Sequence, residues 1–103
     1  MSKISMVAHL VAKPDALDEV QSLLEELVDS TTTEDGTELY VLNQDAADGA
    51  SFWVYELYTD DAALGVHGGS DTMAKVMVGL DGKLAETPEL IVVHPVKAKG
   101  IEV

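Results

Sequence analysis

The chain has 103 residues, 47% of them hydrophobic, and carries 19 acidic residues against 6 lysines and no arginine, a formal charge of −13. That length points to a single domain over 1–103, and no segment approaches the roughly 20 apolar residues of a membrane span. The charge excludes nucleic acid and anionic membrane surfaces as partners, because both are held through Lys and Arg, and the lack of cysteine excludes disulfides, thiolate catalysis and Cys-ligated metal.

The N-terminal "ISMVAHLVA" (4–12) alternates as a strand does and is too short an apolar run for a signal peptide. A soluble, cytoplasmic, acidic protein is the expectation. Ile4, Met6, Ala8 and Leu10 point one way along this strand, and Ser5, Val7, His9 and Val11 the other. Pro14 opens a helix, where its missing N–H is harmless. Leu17, Val20, Leu24, Leu27 and Val28 keep helical spacing from Asp15 to Ser30. "TTTEDG" reads as a loop. "TELYVLNQ" (37–44) and "SFWVYELY" (51–58) read as a hairpin joined by "DAADGA". Helical segments follow at 60–67 and 71–80, with "DGK" ending the second at Gly82. "ELIVVHPV" (89–96) is the last strand, and "KAKGIEV" (97–103) is a tail outside a core of 4–96.

The order strand, helix, strand, strand, helix, strand predicts an α+β fold. It is a ferredoxin-like βαββαβ arrangement with an antiparallel four-stranded sheet. Two helices cover only one face of such a sheet, yet both faces are apolar. Trp53, Tyr55 and Leu57 lie on one side, and Phe52, Val54 and Tyr58 on the other. A second copy packed sheet against sheet, a homodimer, accounts for the uncovered face.

Between the last two helical segments stands "VHGGSD" (66–71). Ser70 and Asp71 form a helix-start signal, so Gly68 and Gly69 are expected to end the preceding helix in the left-handed conformation that glycine tolerates. His67 then sits at the end of one helix beside residues without side chains.

These residues resemble a known family. "SFWVYELYTDDAALGVHGGSD" is similar to the signature of the antibiotic biosynthesis monooxygenases, through Glu56, Tyr58, Asp60, Ala62, His67 and Ser70. The upstream segment resembles the family's first helix and its E-x-G-x-x-x-Y entry into strand two, at Glu34, Gly36 and Tyr40. The resemblance spans about 4–96. It implies a dimeric α+β barrel and a monooxygenase, an oxidoreductase that attacks a quinol, phenol or other electron-rich aromatic with dioxygen, and it implies no metal, flavin, haem or other cofactor. A non-catalytic dimeric module that binds or senses a small molecule is the alternative, since fold does not fix activity. The related haem-degrading enzymes resemble one another in an Asn, a Trp and a His at positions occupied here by Val7, His67 and Met77, which departs from that pattern.

Two readings of His67 stand: a general base, since histidine titrates near neutral pH, or a structural link from the helix break to strand three. Glu56 is expected to be partly buried and paired, with His67 as one partner, or else catalytic beside it. Trp53, Tyr55, Tyr58 and Tyr40 are candidates for lining a substrate pocket or for the core and interface, and Phe52 completes the chain's aromatics. Asn43 is a candidate donor to a substrate oxygen, or simply exposed. Ser70 is chiefly a helix cap, with substrate contact the lesser reading. His9 and His94 are read as structural, three scattered histidines do not make a metal site, and Met6, Met73 and Met77 are read as fillers in the core.

Overall fold

A computed structural model describes residues 3–103. Its elements are β1 (Ile4–Val11), a 3-10 turn (Pro14–Ala16), α1 (Leu17–Ser30), a second 3-10 turn (Thr31–Thr33), β2 (Thr37–Gln44), β3 (Ser51–Tyr58), α2 (Asp61–Gly68), α3 (Asp71–Leu80) and β4 (Glu89–Val93). All strand pairs are antiparallel and the sheet order is β2-β3-β1-β4. This is the ferredoxin-like arrangement, with its second helix divided in two.

Strand alternation decides which residues meet the helices. Ala8 and Leu10 of β1 sit opposite Val54 and Phe52 of β3. All four are buried with Val20, Leu24 and Leu27 of α1 and Val76 and Leu80 of α3. The three α1 residues recur at intervals of four and three, so they share one helix face. Each fully buried Val or Leu contributes about 1.5–3 kcal/mol over an exposed one.

The other sheet face carries no helix. Val7, Val41, Trp53, Tyr55, Ile91 and Val93 occupy it, and Trp53, Val41 and Ile91 remain 38%, 38% and 50% exposed. Trp53 lies flat on His9, ring centroids 3.9 Å apart, and its indole N–H donates to Asp45 Oδ2 at 3.2 Å. The tail folds back to the start of β1, where Lys3 Nζ donates to the Glu102 carbonyl at 2.7 Å. No helix among the described residues is long and apolar enough to cross a membrane.

Four local expectations change. Pro14 opens a 3-10 turn rather than α1 itself, which begins at Leu17. "TTT" is not loop but a 3-10 continuation of α1. The hydroxyls of Thr31, Thr32 and Thr33 donate to the carbonyls of Val28, Asp29 and Ser30, supplying donors that the helix end lacks. Strand β4 stops at Val93, before Pro95, whose ring restricts the preceding residue and cannot donate to a ladder. Gly69 caps α2 at φ −94° and Gly68 is its last helical residue. Neither is left-handed, and the glycines with positive φ are Gly82 and Gly100.

Candidate active site

A cavity of about 440 Å³ opens between the helix-bearing sheet face and the helices. Its walls are largely aliphatic: Ala8, Leu10, Val54 and Leu90 from the sheet, Leu24 and Leu27 from α1, Leu64 from α2, and Met73 and Leu80 from α3. Its polar lining is Tyr40, Glu56 and His67. Met6 and Met73 are half-buried in this wall, while Met77, expected in the core, is largely exposed at its rim. A groove of α1 and α3 near Asp18, Leu23, Gly79 and Lys83 is an open depression with no buried ionisable group.

His67 is delivered by the last turn of α2. Asp60 starts that helix by accepting the Ala63 N–H at 2.9 Å, and Ser70 starts α3 by accepting the Met73 N–H at 3.1 Å. The two caps hold the short helices in place around the break. His67 is 2% exposed. Its Nδ1 lies 2.8 Å from Glu34 Oε1, and its Nε2 is buried without a hydrogen-bond partner. Tyr40 and Tyr58 flank the ring, with centroids 5.0 and 5.6 Å away.

Glu56 does not pair with His67, as the sequence had suggested. The Tyr58 hydroxyl donates to Glu56 Oε1 by a short bond, because residues two apart in a strand share a face. Burial holds the Glu56 carboxyl above its ordinary range, against the opposing pull of that hydrogen bond. Burial also raises the Tyr58 phenol, helped by the Glu56 hydrogen bond, and raises the Tyr40 phenol, helped by the Glu56 and Glu34 charges. Both phenols therefore stay protonated donors near neutral pH.

Of the candidate residues, His67, Glu56, Tyr40 and Tyr58 come together at or behind the cavity wall. Trp53, Tyr55 and Asn43 do not. They face the helix-free side, because they sit at the alternate positions of β3 and β2. Asn43 Nδ2 there donates to the Trp53 carbonyl at 3.1 Å. Ser70 acts as a cap and is absent from the cavity lining. His9 bonds Ser51 Oγ at 2.6 Å on the helix-free face, and His94 lies by the Lys3 carbonyl. Among the described residues no group of three or more His, Asp or Glu is placed to hold a metal ion. Sequence reasoning missed Glu34 as the partner of His67. The two are 33 residues apart, and the available signal was an acid two places before a glycine that ends a turn.

A buried imidazole with one nitrogen engaged and the other bare, at an apolar cavity, is equipped to take a proton from a small, mostly apolar ligand. Comparison with known proteins gives the family. The family model for antibiotic biosynthesis monooxygenase matches residues 3–78. The chain belongs to that family. It is 33% identical over 69 residues, 67% of either chain, to a Mycobacterium tuberculosis protein named "putative monooxygenase Rv0793". The solved structure of Rv0793 superposes with a TM-score of 0.88 at 26% identity, covering 94% of this chain and 98% of that one. A Caulobacter crescentus structure, named "putative antibiotic biosynthesis monooxygenase", gives a TM-score of 0.87 at 25% identity, covering 93% and 92%.

Proposed function

We propose that this protein is a monooxygenase that oxidises a quinol, phenol or similarly electron-rich aromatic with dioxygen in the 440 Å³ cavity, without a metal or organic cofactor. The observation that carries this reading is the unpartnered, buried Nε2 of His67 in the lining of a largely aliphatic cavity. Nε2 removes the hydroxyl proton of the substrate. The resulting phenolate is electron-rich enough to give electrons to dioxygen. The Tyr40 hydroxyl, protonated and at the cavity wall, is the donor available to the developing oxyanion. For a phenol with a free para carbon the balance closes without another reductant. Phenol plus dioxygen gives the para-quinone plus water, and the substrate supplies all four electrons.

The working unit in this proposal is a homodimer joined through the helix-free faces. Val41, Trp53 and Ile91 there form an apolar surface of the kind that obligate interfaces bury, above roughly 2,000 Å² in total.

Oxygen uptake with a panel of quinols, naphthols and anthrones, with binding measured in parallel, tests the reaction. Uptake matched by product formation supports a monooxygenase. Tight binding without uptake identifies a binding or sensing module instead.

A further inference from the structure

We propose that Glu34 is a positioning residue that holds His67 in the Nδ1–H tautomer and so keeps the Nε2 lone pair toward the cavity. Its catalytic meaning rests on the role given to His67 above. Glu34 stands just after the second 3-10 turn, on the segment entering β2. Its side chain is 9% exposed and that of His67 2%. Glu34 Oε1 accepts at 2.8 Å from His67 Nδ1 and also accepts the Thr37 hydroxyl at 2.9 Å. A carboxylate offers only acceptors, so the proton of a neutral imidazole must sit on Nδ1, and Nε2 is left as the acceptor.

The reach from Glu34 to His67 depends on Gly36. A Cβ at position 36 would collide with the Ala63 side chain and lie 3.4 Å from the Ala63 Cα. The Gly36 carbonyl in turn accepts the Thr59 N–H at 2.9 Å. The chain entering β2 is thereby laid against the first turn of α2. His67 follows Ala63 by four residues, on the same helix face. The missing side chain at 36 thus sets the gap that the Glu34 carboxylate spans.

This arrangement acts on one step. The substrate O–H bond breaks, the proton bonds to Nε2, and the electron pair remains on the substrate oxygen as phenolate. Glu34 accepts the Nδ1–H before and after and takes no proton itself. With the ring in its other tautomer, Nε2 already carries hydrogen and the step is blocked.

Ring nitrogen resonances of 15N-labelled protein, recorded where the imidazole is neutral and assigned by their loss in His67→Gln, test the proposal directly. The expected pattern is a protonated Nδ1 and a bare Nε2. In Glu34→Leu no acceptor faces Nδ1, so the pattern moves toward Nε2–H, the tautomer an unconstrained neutral imidazole favours. Turnover of any active panel compound then falls by about 10²–10⁴-fold, with KM near its original value. A bare Nδ1 in the unaltered protein, or an unchanged pattern in folded Glu34→Leu, overturns the proposal. If Glu34→Leu does not fold, Gly36→Ala provides the second variant. It should shift the pattern toward Nε2–H, and the added change Ala63→Gly should restore it. A folded Gly36→Ala with the original pattern counts against the proposal. None of these spectra needs turnover. A panel with no active compound therefore removes the catalytic reading of His67 and leaves the positioning role to be decided by the spectra.

Discussion

The Tyr58 hydroxyl donates to the carboxylate of Glu56, two residues earlier on the same face of β3. Both side chains are buried, and the bond offsets only part of the cost of placing a carboxylate there. The folded protein therefore binds the Glu56 proton more tightly than the unfolded chain does. Below the ordinary carboxylate range both states are protonated and nothing is lost. As pH rises through that range and past the raised folded value, stability falls. Glu56→Gln, which keeps an acceptor for Tyr58, should raise the unfolding temperature by a few degrees at pH 8. The gain should shrink steadily toward pH 4.5. Thermal unfolding of both proteins across that range checks the sign, and a gain that grew with acidity would contradict it.

His67→Gln keeps a polar side chain of similar reach but removes the imidazole Nε2 lone pair assigned to take the substrate proton. A folded variant should lose about 10²–10⁴-fold in turnover on whichever aromatic proves active. Near-normal turnover would take His67 out of the mechanism and leave only the anchoring of α2 to Glu34 as its role.

At Gly68 stability and binding should part. An added Cβ would meet nothing within 4 Å, and the residue belongs to both the last turn of α2 and the cavity lining. Gly68→Ala should stabilise the fold by about 0.5–1 kcal/mol, as alanine does over glycine in a helix. It should also weaken binding of the bulkier aromatics, because position 68 lines the cavity next to His67. Denaturant unfolding and a binding series graded by ring count measure the two effects separately.

Ser70→Ala removes the oxygen that accepts the Met73 N–H. The loss of such a cap costs about 1 kcal/mol. KM should barely change if Ser70 never meets substrate, and a large rise in KM with unaltered stability would return Ser70 to the binding site.

On the helix-free face, Ile91 is half exposed on an edge strand, so Ile91→Asp should cost the isolated fold about 1–2 kcal/mol, through half-burial lost and a poorer strand residue. In a sheet-to-sheet dimer the same aspartate would be buried without a partner. Sedimentation at micromolar concentration should show twice the 11.0 kDa of one chain for the unaltered protein and one chain for the variant. The single tryptophan, Trp53, lies on the same face, and its emission should shift to the red as the dimer parts. An unaltered protein sedimenting at 11.0 kDa would remove the dimer.

Much of this architecture is legible in the chain because its signals are local. The alternation in "TELYVLNQ" and "SFWVYELY" locates both strands, and the Ser70 cap marks the break between α2 and α3. His67 and Glu56 stand out as ionisable groups in apolar settings. Less local facts stay hidden. Alternation sorts Trp53 and Tyr55 from Val54 and Glu56, but only the packing of α1 and α3 decides which set meets the cavity. Glu34 looks like one more surface acid until the close approach of Gly36 and Ala63 brings it to His67. Gly68 and Gly69 suggest a left-handed cap from composition alone, whereas the structure has ordinary backbone at Gly69 and open space beside Gly68.

Strand β3 answers to two masters through the parity of its numbering. The even positions Phe52, Val54, Glu56 and Tyr58 face the helices and the cavity, while the odd positions Trp53, Tyr55 and Leu57 lie on the opposite face. Under the proposed function, substitutions on the even parity should retune ligand chemistry with little effect on dimer assembly, and the reverse should hold for the odd. A single-residue insertion or deletion has no such freedom. It would invert every side chain beyond it and exchange the two surfaces. Laboratory evolution of new substrates on this scaffold should therefore accept point changes in β3 readily and reject length changes there, while the turn from Asp45 to Ala50 takes up variation in length.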